Sequence, residues 1–268
     1  MRPLSQKATY VLLGLAAIII VATWLTLVIW QPSDSNYESL ADSKSSTIAL
    51  VGFIVPAILA LIAVIPRLPV RTLALLPVAL AINVILGHII GNMGLPLPLY
   101  LDSIGTVLVG ALAGPWAGLV TGVLSALVWG TFNPTVVGFA AAYAFVGVCA
   151  GLLGKWWGGA YWRIGLSALL IGFLTALLSA PIASFIFGGT AGTGTGLLVT
   201  AYRTLDFEPM TAVFLQSWTS DPLDKLIVFT IIYLVIRALP QRTLRTFAPA
   251  GKDGNTTADN TATADNAV

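Results

Sequence analysis

From Tyr10 to Trp30 the chain carries no charged side chain, and apolar runs of similar length return along most of its length. About 20 such residues, wound as a helix, cross the ~30 Å hydrocarbon core of a bilayer. In lipid the peptide groups have no water to bond, so an open spanning segment must satisfy them within itself, which a helix does. The balance of residues agrees: 57% are apolar and 9% charged, where soluble domains carry roughly 25% charged residues. The expected fold is an all-α polytopic membrane bundle.

Eight spans fit the pattern. Tyr10–Trp30 follows Arg2 and Lys7, exceeds a signal-peptide core and has no clear small-x-small cleavage site after it, so it reads as an uncleaved span. Gln31 to Thr47 is polar, and Ile48–Ile65 crosses back to the basic turn Arg67 to Arg71. Thr72–Ile90, Leu99–Ala113, Trp116–Gly130, Thr135–Gly154, Ile164–Phe187 and Leu223–Leu239 follow. The stretch Gly188 to Pro222, with Arg203, Asp206 and Glu208, is too polar for a plain span and reads as a surface loop with an interfacial or re-entrant helix. Asp221 then suits an N-cap, Pro222 a first helical position and Asp224 the positive end of the last helix.

Laid out this way, one side holds ten of the thirteen lysines and arginines, and the other holds eight of the eleven acids. Positive residues stay inside, which puts both termini in the cytoplasm of a cell-membrane protein.

Within this frame the stretch Leu95 to Gly130 repeats a small residue every fourth position: Gly110, Gly114, Gly118, Gly122, Ala126 and Gly130. That spacing lets helix backbones approach closely in lipid. Gly114-Pro115 interrupts the run, since proline gives no N–H and disfavours helix in the residue before it. A helical hairpin is expected, turning there, with Trp116 at a membrane surface.

Polar groups within a span are costly and are functional candidates by default. Asp102 heads the fourth span, where it is either a first-turn acid or a ligand contact. Asn83 suits a helix-to-helix hydrogen bond, and His88, one turn before Asn92, a packing role. On the outer side Asn92, Tyr100, Asp102, Trp129, Asn133, Arg203 and Asp206 form a candidate substrate-binding set if the outer loops converge; Glu208, Gln216 and Trp218 lie in the same connectors. Taken singly, the tryptophans equally suit an interfacial aromatic belt.

The glycine run Gly188 to Gly196 lacks the lysine of a phosphate loop and better suits a turned gate. No Ser-His-acid set, HExxH or paired-carboxylate motif occurs, so no enzyme and no cofactor are expected. One cysteine, Cys149, excludes an internal disulfide, and with the single histidine His88 leaves too few ligands for a zinc or copper cage. Nucleic acid is not an expected partner.

The chain from Thr72 to Leu239 resembles the substrate-binding S components of energy-coupling factor transporters. The likeness rests on LPLYLDSIGTVLVGALAGPWAGLVTGVLSALV at Leu97–Val128, FGGTAGTGTG at Phe187–Gly196 and DPLDKLIVFTIIYLVIRALPQR at Asp221–Arg242. It implies a six-helix core at 72–240 that binds a vitamin-like solute near its outer face, under gates at Gly91–Pro98, Phe132–Pro134 and Gly188–Pro222. It also implies partners: a transmembrane coupling subunit and two ATPase subunits, which would carry the nucleotide chemistry that this chain lacks. The family's alanine-x-x-x-alanine docking face is represented in the third span only by Gly87 and Gly91. Residues 1–71 would add a transmembrane pair, and 241–268, rich in Asn, Thr, Ala and Asp, a cytoplasmic disordered tail.

Two other classes compete: a self-sufficient secondary transporter or channel, in which Asp102 and His88 would serve a coupling ion, and a membrane sensor or scaffold. The proposed sidedness has a direct check. Fluorescent-protein fusions at either terminus should light up inside the cell, and an alkaline phosphatase inserted after Asn133 should be active; the opposite pattern overturns the orientation.

Overall fold

The computed structural model describes residues 4–29, 44–93, 95, 97–189 and 195–247. Among them every regular element is helical: α1 (Gln6–Ile29), α2 (Lys44–Val64), a one-turn α3 (Val70–Leu73), α4 (Leu76–Gly91), α5 (Ile104–Ala113), α6 (Pro115–Gly130), α7 (Ala140–Leu153), α8 (Tyr161–Phe187), α9 (Thr195–Thr204), α10 (Pro209–Ala238) and α11 (Gln241–Phe247), with short 3-10 turns at Ile65–Arg67, Pro134–Phe139 and Gly154–Trp156. Five segments, Gln6–Ile29, Lys44–Arg67, Val70–Gly91, Pro134–Trp156 and Tyr161–Phe187, are long and apolar enough to cross a membrane. Large apolar side chains such as Val11, Ile18, Leu166 and Leu170 point outward from α1 and α8, as helices facing lipid require. The chain is a helical membrane bundle.

Glycine sets how closely the helices pack, but not in the pairing expected. The hairpin turn is where the sequence places it: Gly114 takes φ +94°, which a side chain would resist, and Pro115 opens α6. The small-residue stripe of α6, however, faces α7 rather than α5. A methyl group on Gly118 or on Gly147 would collide with the other's backbone carbonyl, and one on Gly122 would strike the carbonyl of Tyr143. Gly110 of α5 also meets the Gly147 carbonyl, so α5 and α6 both close on α7. Gly87, expected on a docking face, is buried instead against Trp129 and Asp102.

Two further expectations are corrected, and two reach partly outside the described residues. Leu99–Ala113 is not one helix: residues 98–101 are non-helical, Leu101 stands at φ +49°, and helix begins only at Ile104. The last span does not begin at Asp221. Helix α10 starts at Pro209 and runs unbroken through Pro222 for 30 residues, about 45 Å, so that Asp221 to Lys225 sit mid-helix. Gly172 of α8 lets the two helices close at this point: a methyl group there would collide with the Pro222 backbone. Of the stretch between Phe187 and α10, residues 195–204 form a short helix, as expected of that connector, while 190–194 of the glycine run lie outside the described residues, as does the polar stretch 30–43. Finally, the region after Pro240 opens with helix α11, and residues 248–268 lie outside the description.

Helices α1 and α2 pack on the remainder of the bundle. Phe53, Ala57 and Ala60 of α2 share one apolar cluster with Val120 and Val123 of α6, Ala140 and Ala144 of α7, and Phe185 of α8. Helix α1 adds a specific polar tie. Pro181 in α8 has no N–H for the carbonyl of Leu177 four residues earlier, and the indole N–H of Trp24 donates to that carbonyl at 2.7 Å.

These contacts set two expectations for thermal unfolding in detergent. Gly147→Val should destabilise by at least about 1–3 kcal/mol, the usual range for overpacking, whereas Gly14→Ala, which meets no atom within 4 Å, should leave the melting temperature unchanged. Trp24→Phe, which orphans the Leu177 carbonyl, should cost about 1–3 kcal/mol; equal stability of Gly147→Val and wild type would contradict the packing described.

Candidate functional site

The end of α6, the second half of α8, the start of α7, the segment leading into α5 and the middle of α10 meet around one cavity of about 120 Å³. The connectors converge there. Tyr100, before α5, and Asn133 and Thr135, between α6 and α7, line the space, and Phe139 stacks on Phe187 at the end of α8 with ring centres 5.7 Å apart. Helix α9 closes one flank: Val199 and Tyr202 pack with Phe139, Ala183 and Val213.

One face of α10 supplies more of the polar lining than any other element. Gln216, Ser217, Asp221, Asp224 and Lys225 all reach the cavity, and their spacing of one, then three or four, residues is that of a single helix face. Asp224 is fully engaged. Its Oδ1 accepts the backbone N–H groups of Tyr100 (3.0 Å) and Leu101 (2.8 Å), and its Oδ2 meets the Lys225 ammonium at 2.7 Å, both side chains being buried. The non-helical segment before α5 thus has its peptide donors satisfied by a carboxylate from another helix, the condition under which irregular backbone is tolerated at depth.

A second polar tie, Asn83, sits beneath the site. Its amide donates to Thr106 and Ser125 at 2.8 Å each and its carbonyl accepts from the Gly105 backbone at 2.6 Å, joining α4, α5 and α6 with every partner internal. Asn83 is therefore a helix-to-helix connector.

Of the residues expected at the site, Tyr100, Asp102, Trp129 and Asn133 line this cavity and Asn92, Arg203 and Asp206 do not. Asp102 is buried, and its carboxylate does not cap α5; Ser103 occupies the cap position, while Asp102 Oδ2 accepts the hydroxyl of Tyr143 from α7. Trp129 is 4% exposed, and its indole N–H has no partner among the described residues. Asn133 turns its carbonyl to the N–H and hydroxyl of Thr135, capping the 3-10 turn.

Asn92 ends α4 on the surface, its amide on the His88 carbonyl at 2.7 Å. Arg203 is exposed and donates to the Phe207 carbonyl, and Asp206 occupies an exposed left-handed turn at φ +61°. Arg203 lies in the last turn of α9 and Asp206 in the connector to α10, and neither lines the cavity.

Asp221, Asp224, Lys225, Tyr143 and Ser179 were not foreseen. Breaking the helix at Pro222 hides the polar face, because its periodicity shows only when Gln216 to Lys225 are read as one helix. Ser179 of α8 donates to Asp221 at 3.0 Å. Among the described residues no three His, Cys, Asp or Glu side chains are grouped as a metal site.

No family model, curated protein or solved structure matches this chain.

The Asp224–Lys225 pair should behave as a buried pair does when one member is lost. Asp224→Ala should destabilise by about 3–5 kcal/mol, and the joint replacement Asp224→Asn with Lys225→Met should cost clearly less. Chemical unfolding of the purified variants measures both; equal costs would mean that the pair's charges are not desolvated together.

Proposed function

We propose that the chain is the solute-capturing membrane subunit of an energy-coupling factor type importer, taking a vitamin-like solute at the outer face of the cell membrane. The observation that carries this reading is the cavity under the connectors, lined by buried polar groups of which Trp129 Nε1, Ser103 Oγ and Thr175 Oγ1 lack partners among the described residues. Buried polar groups are normally hydrogen-bonded, and an incoming solute would supply what these three lack. The sequence likeness over Thr72–Leu239 supports the same role. In this reading a coupling subunit and two ATPase subunits supply the energy, both termini are cytoplasmic, and no bond is made or broken on this chain.

A secondary transporter is the second reading, favoured by Asp221, Asp224 and Lys225 in the middle of α10. Intramembrane charges of this kind mark ion or proton pathways in such proteins. The two readings separate in proteoliposomes containing this chain alone: a secondary transporter exchanges solute across the membrane, and a capturing subunit binds it without exchange.

Purified without ATP, the protein should retain a small organic solute, released on denaturation and identified by mass spectrometry. Asp102→Asn, and more weakly Asn133→Ala, should lower retention, while Arg203→Ala should change it little. Empty protein from every preparation, together with no thermal stabilisation by a panel of vitamins, would defeat the binding reading.

A further inference from the structure

We propose that the solute is an organic cation, a protonated amine or amidine carried on a ring, whose positive end is received by Asp102 and Asp221. The inference rests on the binding reading above and names the class of ligand.

The charge of the lining comes first. Three carboxylates, Asp102, Asp221 and Asp224, share the cavity with one ammonium, Lys225. Asp224 is spent: two backbone N–H groups and the Lys225 ammonium occupy its oxygens. Lys225 is committed in turn to Asp224 at 2.7 Å. Asp102 holds only neutral donors, the hydroxyl of Tyr143 and a backbone N–H, and Asp221 the hydroxyl of Ser179. Two carboxylates therefore face the cavity with no cation in salt-bridge contact among the described residues, a deficit that a positive ligand would fill and an anionic one would worsen.

The second observation is independent of charge. The Trp129 indole N–H is buried in the cavity wall without a partner among the described residues, as are the hydroxyls of Ser103 and Thr175. Indole N–H is a donor only, so the ligand must carry an acceptor as well as its positive group. Aromatic walls, from Tyr100, Trp129, Phe139 and Tyr143, suit a ring and add attraction for a cation near their faces. A bare metal ion fits less well: the carboxylates are not grouped as a metal site, and the space is far larger than an ion needs.

The test uses the full-length protein in lipid nanodiscs, titrated with phenethylamine, phenylacetamide and phenylacetate, which share a ring and differ in charge. Any solute released from the native preparation on denaturation is identified by mass spectrometry alongside. The amine should bind at least ten-fold more tightly than the amide and the carboxylate more weakly still; the released solute should carry a basic nitrogen. In Asp102→Asn and Asp221→Asn the preference of amine over amide should fall at least ten-fold. The wild-type charge series needs no variant, so a variant that fails to fold leaves the result standing. Tighter binding of the amide or carboxylate, or a released solute that is neutral or acidic, overturns the cation assignment and leaves the binding reading intact. Indifference to all three probes together with no released solute overturns both.

Discussion

The structure depends on one carboxylate. Asp224, midway along α10, holds the Tyr100 and Leu101 peptide groups of a segment that is not helical there. Pro98 biases the residue before it away from helix, and Leu101 takes a left-handed conformation that costs a non-glycine residue free energy. Without an internal acceptor those N–H groups would be unsatisfied in the bundle, at about 1–3 kcal/mol each. With it, the chain enters the bundle as an open segment before turning into α5. Helix α5 then begins only at Ile104 and runs ten residues, about 15 Å, and Tyr100, Asp102 and Ser103 of the segment before it line the cavity.

Lys225 completes the arrangement. A lone carboxylate at this depth would be strongly penalised, and the adjacent ammonium offsets much of that cost. Both groups are thereby fixed in structural service, which leaves the remaining acids of the cavity, Asp102 and Asp221, facing open space with one hydroxyl each. Rigidity beneath the site comes from a different source. Asn83 ties three helices with no group left over, and the Gly118–Gly147 contact brings α6 and α7 to backbone distance. The cavity floor is thus set by hydrogen bonds and close packing, and its rim by connectors.

How much of this could be read from the chain follows from the physics of each signal. Membrane helices announce themselves by length and apolarity, so the spans of α1, α2, α4, α7 and α8 were legible, as was the turn at Gly114-Pro115, where two residues with opposite backbone demands stand together. The partner of the glycine stripe was not, because small residues state that something approaches closely and not what. The most serious misreading concerned α10. Three charges and a proline in the middle of an apolar helix argue locally for a break, and only the facing elements, Gly172, Ser179 and the Tyr100–Leu101 peptides, make the helix tolerable. For the same reason Asn92, Arg203 and Asp206, polar and near the outer connectors, looked equivalent to Asp102 in sequence, while the fold spends them on a helix end, a loop carbonyl and a turn.

The claim at the centre of this account is that α10 commits Asp224 to structure and so leaves a cavity in which Asp102 and Asp221 meet a solute. A high-resolution cryo-EM or crystal structure of the protein with its co-retained solute measures it most directly. The account predicts density in the cavity, with a basic nitrogen within hydrogen-bond reach of Asp102 or Asp221, an acceptor on the Trp129 indole, and Asp224 still on the Tyr100 and Leu101 amides. A solute bound elsewhere, or Asp224 turned away from those amides to contact it, would contradict it.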